Sequence, residues 1–401
     1  MHRLPALMLV LVSVAVAVED RRDPVRVGDF ALPPLADLTW ADDRIELHPK
    51  ALLGVGWNSN VYGRSSDEAA DTYLRQLAGV ETRWHAGRMH EVLVDLELDN
   101  RMYLSEDALD LTGGSAEAGW RREAVRSSMG ASAAYARNDS PLVESGEQIA
   151  RDEAQVALDG GWRAAAMSYG ASASVARLDY RRDSRFFTAD QRDAVRPALN
   201  LRLGYVNAMD SEFSTSLRFD RIVYASAERY QDSDGVRLVA GYRGRLAVRA
   251  RFSVEAGLDH RRYAASDIAD ESAVTRPGFE GMVRWPWESG SEVGLRIFSE
   301  VEDGIAVGAS WDTGAALDAR YRLRVNAALI AGLGVVRIEP ETGVAGTASA
   351  SRTNHNASLG GEYLLREGLG MRLLGTWQGG QQPDGDDFTR LGVELVLAVA
   401  F

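Results

Sequence analysis

The sequence predicts an all-β fold, a transmembrane antiparallel up-and-down β-barrel of about eighteen strands, with sixteen as the alternative count. Three observations support this prediction. An apolar run of signal-peptide length lies at the N-terminus, strand-length segments of alternating polarity recur along the chain, and the last segment stops on Phe401. A closed barrel satisfies its backbone hydrogen bonds between strands, so it can cross a bilayer without an apolar helix.

Composition excludes several classes of protein. The 401-residue chain carries a formal net charge of −13 and contains no cysteine. A nucleic-acid surface needs a basic patch, and a disulfide framework or a thiolate metal site needs cysteine, so we expect none of these. Lys50 is the single lysine, and the other basic residues are arginines. A GC-rich genome accounts for that bias, although arginine also suits a polar channel wall or lipid phosphates.

The N-terminus predicts export and defines the domain boundaries. Arg3 and the apolar residues after it lead to a small-x-small pattern at 15–17, so residues 1–17 are expected to be a cleaved signal peptide. Residues 18–44 lack a consistent period and contain three prolines, which favours a periplasmic N-terminal extension. Residues 45–401 are then expected to form the outer-membrane β-barrel.

Alternating polarity is the main evidence for strands. Between residues 91 and 101, aliphatic side chains at even positions alternate with mostly charged side chains at odd positions. A soluble β-sandwich is the alternative, but its faces must meet in a core, whereas a barrel turns its charged faces toward a wet lumen. The strands are expected near 45–62, 72–85, 89–103, 109–121, 125–138, 152–163, 167–181, 193–207, 211–225, 235–247, 250–264, 274–286, 291–301, 305–321, 323–338, 355–366, 370–379 and 387–401.

Connection lengths and aromatic residues predict the orientation. Short links near residues 85–89, 207–211, 287–291 and 367–370 are expected to be periplasmic turns, and the longer polar links to face outward. Aromatic side chains prefer the headgroup level of a membrane. Tryptophans are expected beside the periplasmic turns and tyrosines beside the outer loops, as follows: Trp84, Trp120, Trp162, Trp285 and Trp287, against Tyr62, Tyr103, Tyr135, Tyr180, Tyr224 and Tyr263.

The same alternation predicts the charged side chains that line the lumen. A lining of opposed arginines and carboxylates can surround an aqueous channel and sort solutes by charge. The alternative is that these pairs cross-link the interior and leave little opening. The predicted pore-lining residues are Arg75, Glu81, Arg83, Asp95, Glu97, Asp99, Arg101, Arg202, Arg218, Asp220, Arg237, Arg243, Glu255, Asp259, Arg261, Glu280, Arg284, Arg296 and Glu394.

The chain end resembles the terminal strand signal that the barrel assembly machinery recognises. Leu395, Leu397, Val399 and Phe401 share one face, although the residues before Phe401 are aliphatic rather than aromatic. The segment 54–62, GVGWNSNVY, followed by an acidic loop and Asp71-Thr72-Tyr73, resembles the opening of the β-barrel porin 2 family of bacterial outer-membrane proteins. The resemblance implies an outer-membrane barrel of this size and no particular solute.

No residue pattern predicts catalysis, a metal site or a cofactor. The histidines that remain after signal cleavage, His48, His85, His90, His260 and His355, show no metal-binding spacing. A hydrolase would need a histidine beside its nucleophile, and neighbouring Asp259 and His260 point to opposite faces of a strand. The acidic loop segments lack the spacing of an EF-hand calcium site, so they are interpreted as solvated loops.

The expected function is therefore passive passage of small hydrophilic solutes across the bacterial outer membrane, without enzymatic activity. Expected partners are outer-membrane lipid, lipopolysaccharide and the barrel assembly machinery, with no nucleic acid. The first alternative is the outer-membrane port of an exopolysaccharide export system, whose periplasmic partner would dock on residues 18–44. The second alternative is a structural or enzymatic barrel. The sequence leaves the solute, the ion selectivity and the oligomeric state open.

Overall fold

The computed structural model is a closed antiparallel β-barrel of eighteen strands, which confirms the predicted fold class. Each barrel strand pairs with the strands before and after it in sequence, and the last strand pairs with the first. In the described part of the chain, no helix is both long and apolar enough to cross a membrane. The structure describes residues 25–27, 30–32, 38–40, 44–63, 68–138, 149–181, 183, 189–207, 211–226, 232–246, 249–265, 272–287, 290–303, 309–340, 351–381 and 386–401.

Three short strands precede the barrel, and two short helical segments, Asp107–Leu109 (3-10) and α1 (Ala189–Arg192), lie between barrel strands. The short strands are β1 (Val25–Val27), β2 (Phe30–Leu32) and β3 (Leu38–Trp40). The barrel strands are β4 (Ile45–Asn58), β5 (Asp71–His85), β6 (His90–Tyr103), β7 (Leu111–Ala124), β8 (Ser127–Asn138), β9 (Arg151–Ala164), β10 (Met167–Tyr180), β11 (Ala194–Val206), β12 (Glu212–Tyr224), β13 (Ser233–Arg245), β14 (Arg251–Tyr263), β15 (Ser272–Pro286), β16 (Glu292–Asp303), β17 (Ala309–Arg324), β18 (Ala327–Pro340), β19 (Arg352–Arg366), β20 (Leu369–Gln381) and β21 (Asp387–Ala400).

Polarity separates the two faces of the barrel wall. Aliphatic and aromatic side chains are exposed at alternate positions of the barrel strands, as at Leu96 and Leu98 on β6. The intervening positions carry charged side chains that pair with other strands of the wall, as Asp95 does. Because successive side chains point to opposite faces, the outer face is apolar and the inner face is polar. We call the end with short links the turn end and the opposite end the loop end.

The barrel closes where β21 pairs with β4, from Gly392 opposite Asn58 to Ala400 opposite Lys50. The backbone N–H of Phe401 then donates to Pro49 O at 2.8 Å. Beyond that point β3 takes over the edge of β4, with Leu38 opposite Leu47. The two strands together cover an edge that would otherwise expose unpaired backbone groups.

Several predicted strand boundaries differ from the structure by three or four residues, and two of them have a local structural cause. The first barrel strand ends at Asn58 rather than at Tyr62, because the Asn58 side chain accepts a hydrogen bond from the Asn60 N–H at 3.0 Å and turns the chain. The link predicted at residue 322 lies instead at Val325–Asn326. A register shift between Arg322 and Arg324 lengthens β17, and the Arg322 guanidinium donates to Val325 O at 2.9 Å.

Aromatic side chains follow the predicted orientation only in part. The five predicted tryptophans lie near the turn end and are exposed, together with Tyr169, Tyr205, Tyr321 and Tyr363. The tyrosines predicted beside the outer loops behave differently, since Tyr103, Tyr180 and Tyr263 are buried and only Tyr135 of that group is an exposed outer-face side chain. The other five lie at the loop end as predicted, but they pack clusters there, as Tyr103 does with Val61 and Leu109, and do not form a belt of outward-facing side chains.

Two of the three N-terminal strands, β1 and β2, lie against the inner wall. β1 and β2 form a small antiparallel hairpin, and Val27 and Leu32 are 0% and 1% exposed. They pack against side chains of the inner face near the turn end, namely Leu52, Leu77, Val396, Ala398 and Ala400, with Leu364 beside them. The predicted signal peptide, residues 1–17, and much of the predicted extension, 18–44, lie outside the described residues.

Candidate functional site: the inner wall

The candidate site is the charged inner face of the barrel. Strand register places all nineteen predicted pore-lining residues on this face. Seven lie on β5 and β6, five on β11 to β13, six on β14 to β16, and Glu394 lies on β21. The charges are therefore grouped around the barrel rather than spread evenly.

The first group is acidic and lies on β5 to β7. Register assigns eight carboxylates and four arginines to the inner face there: Asp71, Glu81, Glu91, Asp95, Glu97, Asp99, Glu117 and Glu123, with Arg75, Arg83, Arg101 and Arg121. We call this group the acidic sector.

Lys50 on β4 is held by the acidic sector. Its ammonium lies 2.6 Å from Asp95 Oδ1 and 2.7 Å from Glu97 Oε1, and its side chain is 0% exposed. The lysine reaches β6 across β5 because residue 79 is a glycine. A Cβ at Gly79 would lie 3.1 Å from Lys50 Cε and 2.4 Å from Leu96 O. The missing side chain is what lets one ammonium bridge strands that are not neighbours.

Arg75 makes a second bridge of the same kind, across the barrel closure. Its guanidinium donates to Asp99 on β6 at 2.8 Å and lies 3.7 Å from Glu394 on β21. The intervening β4 carries Gly54 and Gly56 where the inner wall is crowded. A Cβ at Gly54 would lie 2.7 Å from Val396 Cγ1, and a Cβ at Gly56 would overlap the ring of Tyr73. These glycines belong to the segment that resembles the porin family, so the motif has a structural role at the closure. Part of its acidic loop, residues 64–67, lies outside the described residues.

A second group, the arginine sector, lies on β11 to β13. Register assigns six arginines and two carboxylates to the inner face there: Arg196, Arg202, Arg218, Arg237, Arg243 and Arg245, with Glu212 and Asp220. Asp220 accepts from Arg261 at 2.6 Å and lies 3.6 Å from Arg218. The central strand of the arginine sector, β12, is six strands from the central strand of the acidic sector, β6.

Ion pairs continue along the wall on β14 to β16. Arg296 lies 2.8 Å from Glu280 and 3.6 Å from Glu300, and Arg237 lies 3.7 Å from the same Glu300. Arg296 and Glu300 lie on the same strand, and the other two contacts join strands one and three positions apart. These ion pairs therefore run along the circumference of the wall. They do not cross the lumen, as the alternative of a cross-linked interior would require.

Of the three strands between the two sectors, two have an inner face of small side chains. β8 and β10 place small side chains there, including Ser132, Ala134, Ser172 and Ser174. β9 lies between them and carries two arginines and two carboxylates on the same face, Arg151, Arg163, Glu153 and Asp159. This stretch has no excess of either sign and separates the acidic sector from the arginine sector.

Several inner-face residues were missed from the sequence. Glu117 lies between Ala116 and Ala118. These outer-face alanines are too small to give the clear apolar alternation from which the inner face was predicted on other strands. Arg320 and Glu362 pair at 2.5 Å on strands whose alternation is weak in the same way. Lys50 was noticed as the single lysine, but only the three-dimensional arrangement shows that Gly79 opens its path to Asp95.

Each remaining histidine has a structural partner. His48 lies 3.3 Å from the Phe401 carbonyl, and His85 Nε2 lies 3.3 Å from Glu46. His260 contacts Thr275, while His90 and His355 stack on Trp120 and Trp377. Across the described residues, no group of histidine and carboxylate side chains is arranged to hold a metal ion.

The predicted assembly-signal residues lie on the outer face of β21. Leu395, Leu397 and Phe401 are exposed there, and Val399 is half-buried. Their inner-face neighbours, Val396 and Ala398, are buried under the N-terminal hairpin. The strand therefore has an exposed apolar outer face and an inner face that is covered by the hairpin of β1 and β2.

Comparison with known proteins finds similarity in structure. No family model matches the chain, and no curated protein matches it. OccAB2 of Acinetobacter baumannii aligns over 90% of this chain and 98% of that chain, with 8% identity and a TM-score of 0.51. OprD of Pseudomonas aeruginosa covers 92% and 98% with 11% identity and a TM-score of 0.48, and the outer membrane protein OpdK of the same organism covers 88% and 99% with 11% identity and a TM-score of 0.46. The likeness to OccAB2 shows that the chain has a porin-like barrel fold.

Proposed function

We propose that this chain is an integral outer-membrane channel for the passive passage of small hydrophilic solutes. The observation that carries the proposal is a closed eighteen-strand barrel with an apolar outer face and a charged inner face. Barrels of sixteen to eighteen strands can enclose an aqueous channel, whereas smaller barrels fill with side chains. The similarity to OccAB2 supports the same fold, and an outer membrane protein is among the other structural matches.

The two charged sectors supply a basis for selecting solutes. Carboxylates dominate β5 to β7 and arginines dominate β11 to β13, so a field crosses part of the lumen. Charge rings and rows in a pore discriminate between ions of opposite sign. We propose that a small zwitterion or anion passes along the arginine sector and a cation along the acidic sector.

The alternatives are less well supported. An export port would use the N-terminal extension to dock a periplasmic partner, yet Val27 and Leu32 in that extension face the barrel wall. A barrel enzyme would need a convergent nucleophile and base, and each of the five histidines that could act as a base makes a structural contact. Membership of the β-barrel porin 2 family rests on the resemblance of residues 54–73 and remains part of the proposal.

Single-channel conductance of the refolded protein in a planar bilayer tests the proposal, with the reversal potential measured in a salt gradient. We expect stable open conductance. Glu117→Gln removes one carboxylate of the acidic sector and should shift the reversal potential toward anions, whereas Arg218→Gln should shift it toward cations. The two variants control for each other, because loss of folding would change conductance without shifting selectivity in opposite directions. A closed barrel, or identical shifts, would contradict the proposal.

A further inference from the structure

Charged side chains on the outer face at the loop end are concentrated on one side of the barrel. Strands β8 to β14 place five arginines and three aspartates there: Arg137, Arg177, Arg181, Arg221 and Arg262, with Asp152, Asp179 and Asp234. At the same end, β4, β6 and β20 present Trp57, Met102 and Trp377 instead. We call the first group the outer arginine patch.

The outer arginine patch has more guanidinium than carboxylate. Asp152 accepts from Arg137 Nε at 2.7 Å and also from Arg181, so two guanidiniums share one carboxylate. Arg221 lies 3.6 Å from Asp234, whose register partner on the next strand is Arg262. The pairs orient the arginines while leaving them accessible, since the side chains of Arg177 and Arg221 are 65% and 57% exposed.

Two apolar grooves run down the outer face below the patch. One groove of about 510 Å³ passes over Ala116, Ala118, Ala133 and Ala154, between Leu96 and Val156, with Arg177 also lining it. A second groove of about 560 Å³ is lined by Leu158, Ala173, Leu199 and Phe219, together with Arg221 and Asp234. Each groove therefore joins an apolar channel to an exposed arginine.

We propose that the outer arginine patch and its grooves bind one molecule class, a phosphorylated acyl lipid of the outer leaflet. The acyl chains would occupy the grooves, where small alanine side chains leave room beside larger neighbours. The phosphate would lie against the guanidiniums, because arginine donates two parallel hydrogen bonds to a phosphate and remains charged at all physiological pH values. The excess of arginine over aspartate provides the charge complementarity. The inference rests on the proposed membrane location of the barrel but not on its conducting solutes.

Binding of a defined lipid to the purified full barrel in detergent tests this assignment. The probes are hexa-acylated lipid A bisphosphate, the same lipid without phosphates, and inorganic phosphate, each measured by native mass spectrometry. The test variant is Arg137→Gln, Arg181→Gln, Arg221→Gln. The control is Arg337→Gln on β18, an outer-face arginine near the same end that pairs with Glu339 at 2.8 Å.

We expect the bisphosphate lipid to bind the unaltered chain and the control equally. The triple variant should bind it at least about tenfold more weakly, because three guanidinium donors of charge-assisted hydrogen bonds to the phosphates are removed. Removing the phosphates from the lipid should have the same effect as the triple variant, and inorganic phosphate should not compete. Equal lipid binding by the triple variant and the control, or binding that ignores the lipid phosphates, would overturn the proposal.

A dimer that saturates this face and excludes lipid would also overturn the proposal, because the grooves would then be an interface between copies. Channel measurements on the triple variant separate this inference from the proposed function. Normal conductance with weakened lipid binding supports both, whereas normal conductance with unchanged lipid binding removes only the lipid site. Absence of conductance in the unaltered chain that still binds lipid would remove only the channel.

Discussion

A single glycine decides how far the one lysine of the chain can reach. Gly79 leaves the inner face of β5 open, and Lys50 crosses it to place its ammonium between Asp95 and Glu97. The lysine is fully covered, so its charge is compensated by these carboxylates rather than by water. The contact links β4 at the barrel closure to β6, beyond its immediate neighbour.

Lys50→Gln should destabilise the barrel. Removing one partner of a buried ion pair leaves uncompensated charge and costs about 3–5 kcal/mol. We therefore expect the variant to unfold at a lower urea concentration than the unaltered chain. The measurement is urea unfolding in lipid vesicles, monitored by tryptophan fluorescence. The triple variant Lys50→Gln, Asp95→Asn, Glu97→Gln should recover much of the loss, because the carboxylates are neutralised with the lysine. Equal urea midpoints for Lys50→Gln and the unaltered chain would show that the pair contributes nothing.

Residue-level prediction succeeded where both faces of a strand are marked. Leu96 and Leu98 alternate with Asp95 and Glu97, so the side chains themselves identify the inner face. On β7 the outer residues are alanines, and Glu117 gave no such signal. Ion-pair partners were beyond prediction, because they depend on strand register and on which positions lack a Cβ.

At the scale of elements, the hairpin of β1 and β2 packs on a complementary apolar surface of the inner wall. Charged and polar side chains occupy much of the inner face, yet Leu52, Leu77 and Val396 form an apolar surface near the turn end. Left open to a wet lumen, that surface would be unfavourable. Val27 and Leu32 cover it, which explains why β1 and β2 lie inside the barrel.

Val27→Asp combined with Leu32→Asp should release the hairpin and enlarge the open conductance in a planar bilayer. Burying one such aliphatic side chain contributes about 1.5–3 kcal/mol. Losing both should therefore lower the ratio of barrels with the hairpin packed on the wall to barrels with it released by more than about tenfold. Arg26→Gln is the matched control, since Arg26 belongs to the same hairpin and is exposed. Conductance that is unchanged in the double variant would mean that the hairpin does not narrow the pore.

Strand ends illustrate what local sequence can and cannot predict. Most boundaries follow from where alternation stops, but the first strand continues its polarity pattern past the point where Asn58 turns the chain. The β17 link was displaced because the bulge near Arg322 adds a residue that the alternation does not reveal. The hairpin of β1 and β2 escaped prediction because three-residue strands are too short to show a period.

For the whole molecule, the barrel was predictable because one period of two residues recurs over eighteen strands. Each strand adds the same evidence, so errors at single ends do not alter the architecture. The grouping of charge into an acidic sector and an arginine sector was not predictable in the same way, since it requires the order and spacing of strands around the closed wall.

Matched arginine substitutions on β11 test the assignment of faces. Leu201 is an outer-face residue that is 43% exposed, and its neighbour Asn200 belongs to the inner face. Leu201→Arg should destabilise the barrel in vesicles by about 2–4 kcal/mol, the cost of a charged side chain on the lipid face near midplane. Asn200→Arg should leave the urea midpoint nearly unchanged. A reversed or equal effect of the two substitutions would show that the faces are misassigned.

The covered position of Lys50 makes the folded chain almost inert to reagents that acylate primary amines. Apart from the α-amino group, Lys50 carries the only such amine in the sequence, and its side chain is enclosed in contact with the carboxylates of Asp95 and Glu97. An amine-reactive dye added to folded protein should therefore label the α-amino group. It should label Lys50 only after the barrel unfolds. Labelling stoichiometry would then read out barrel closure without any engineered reporter.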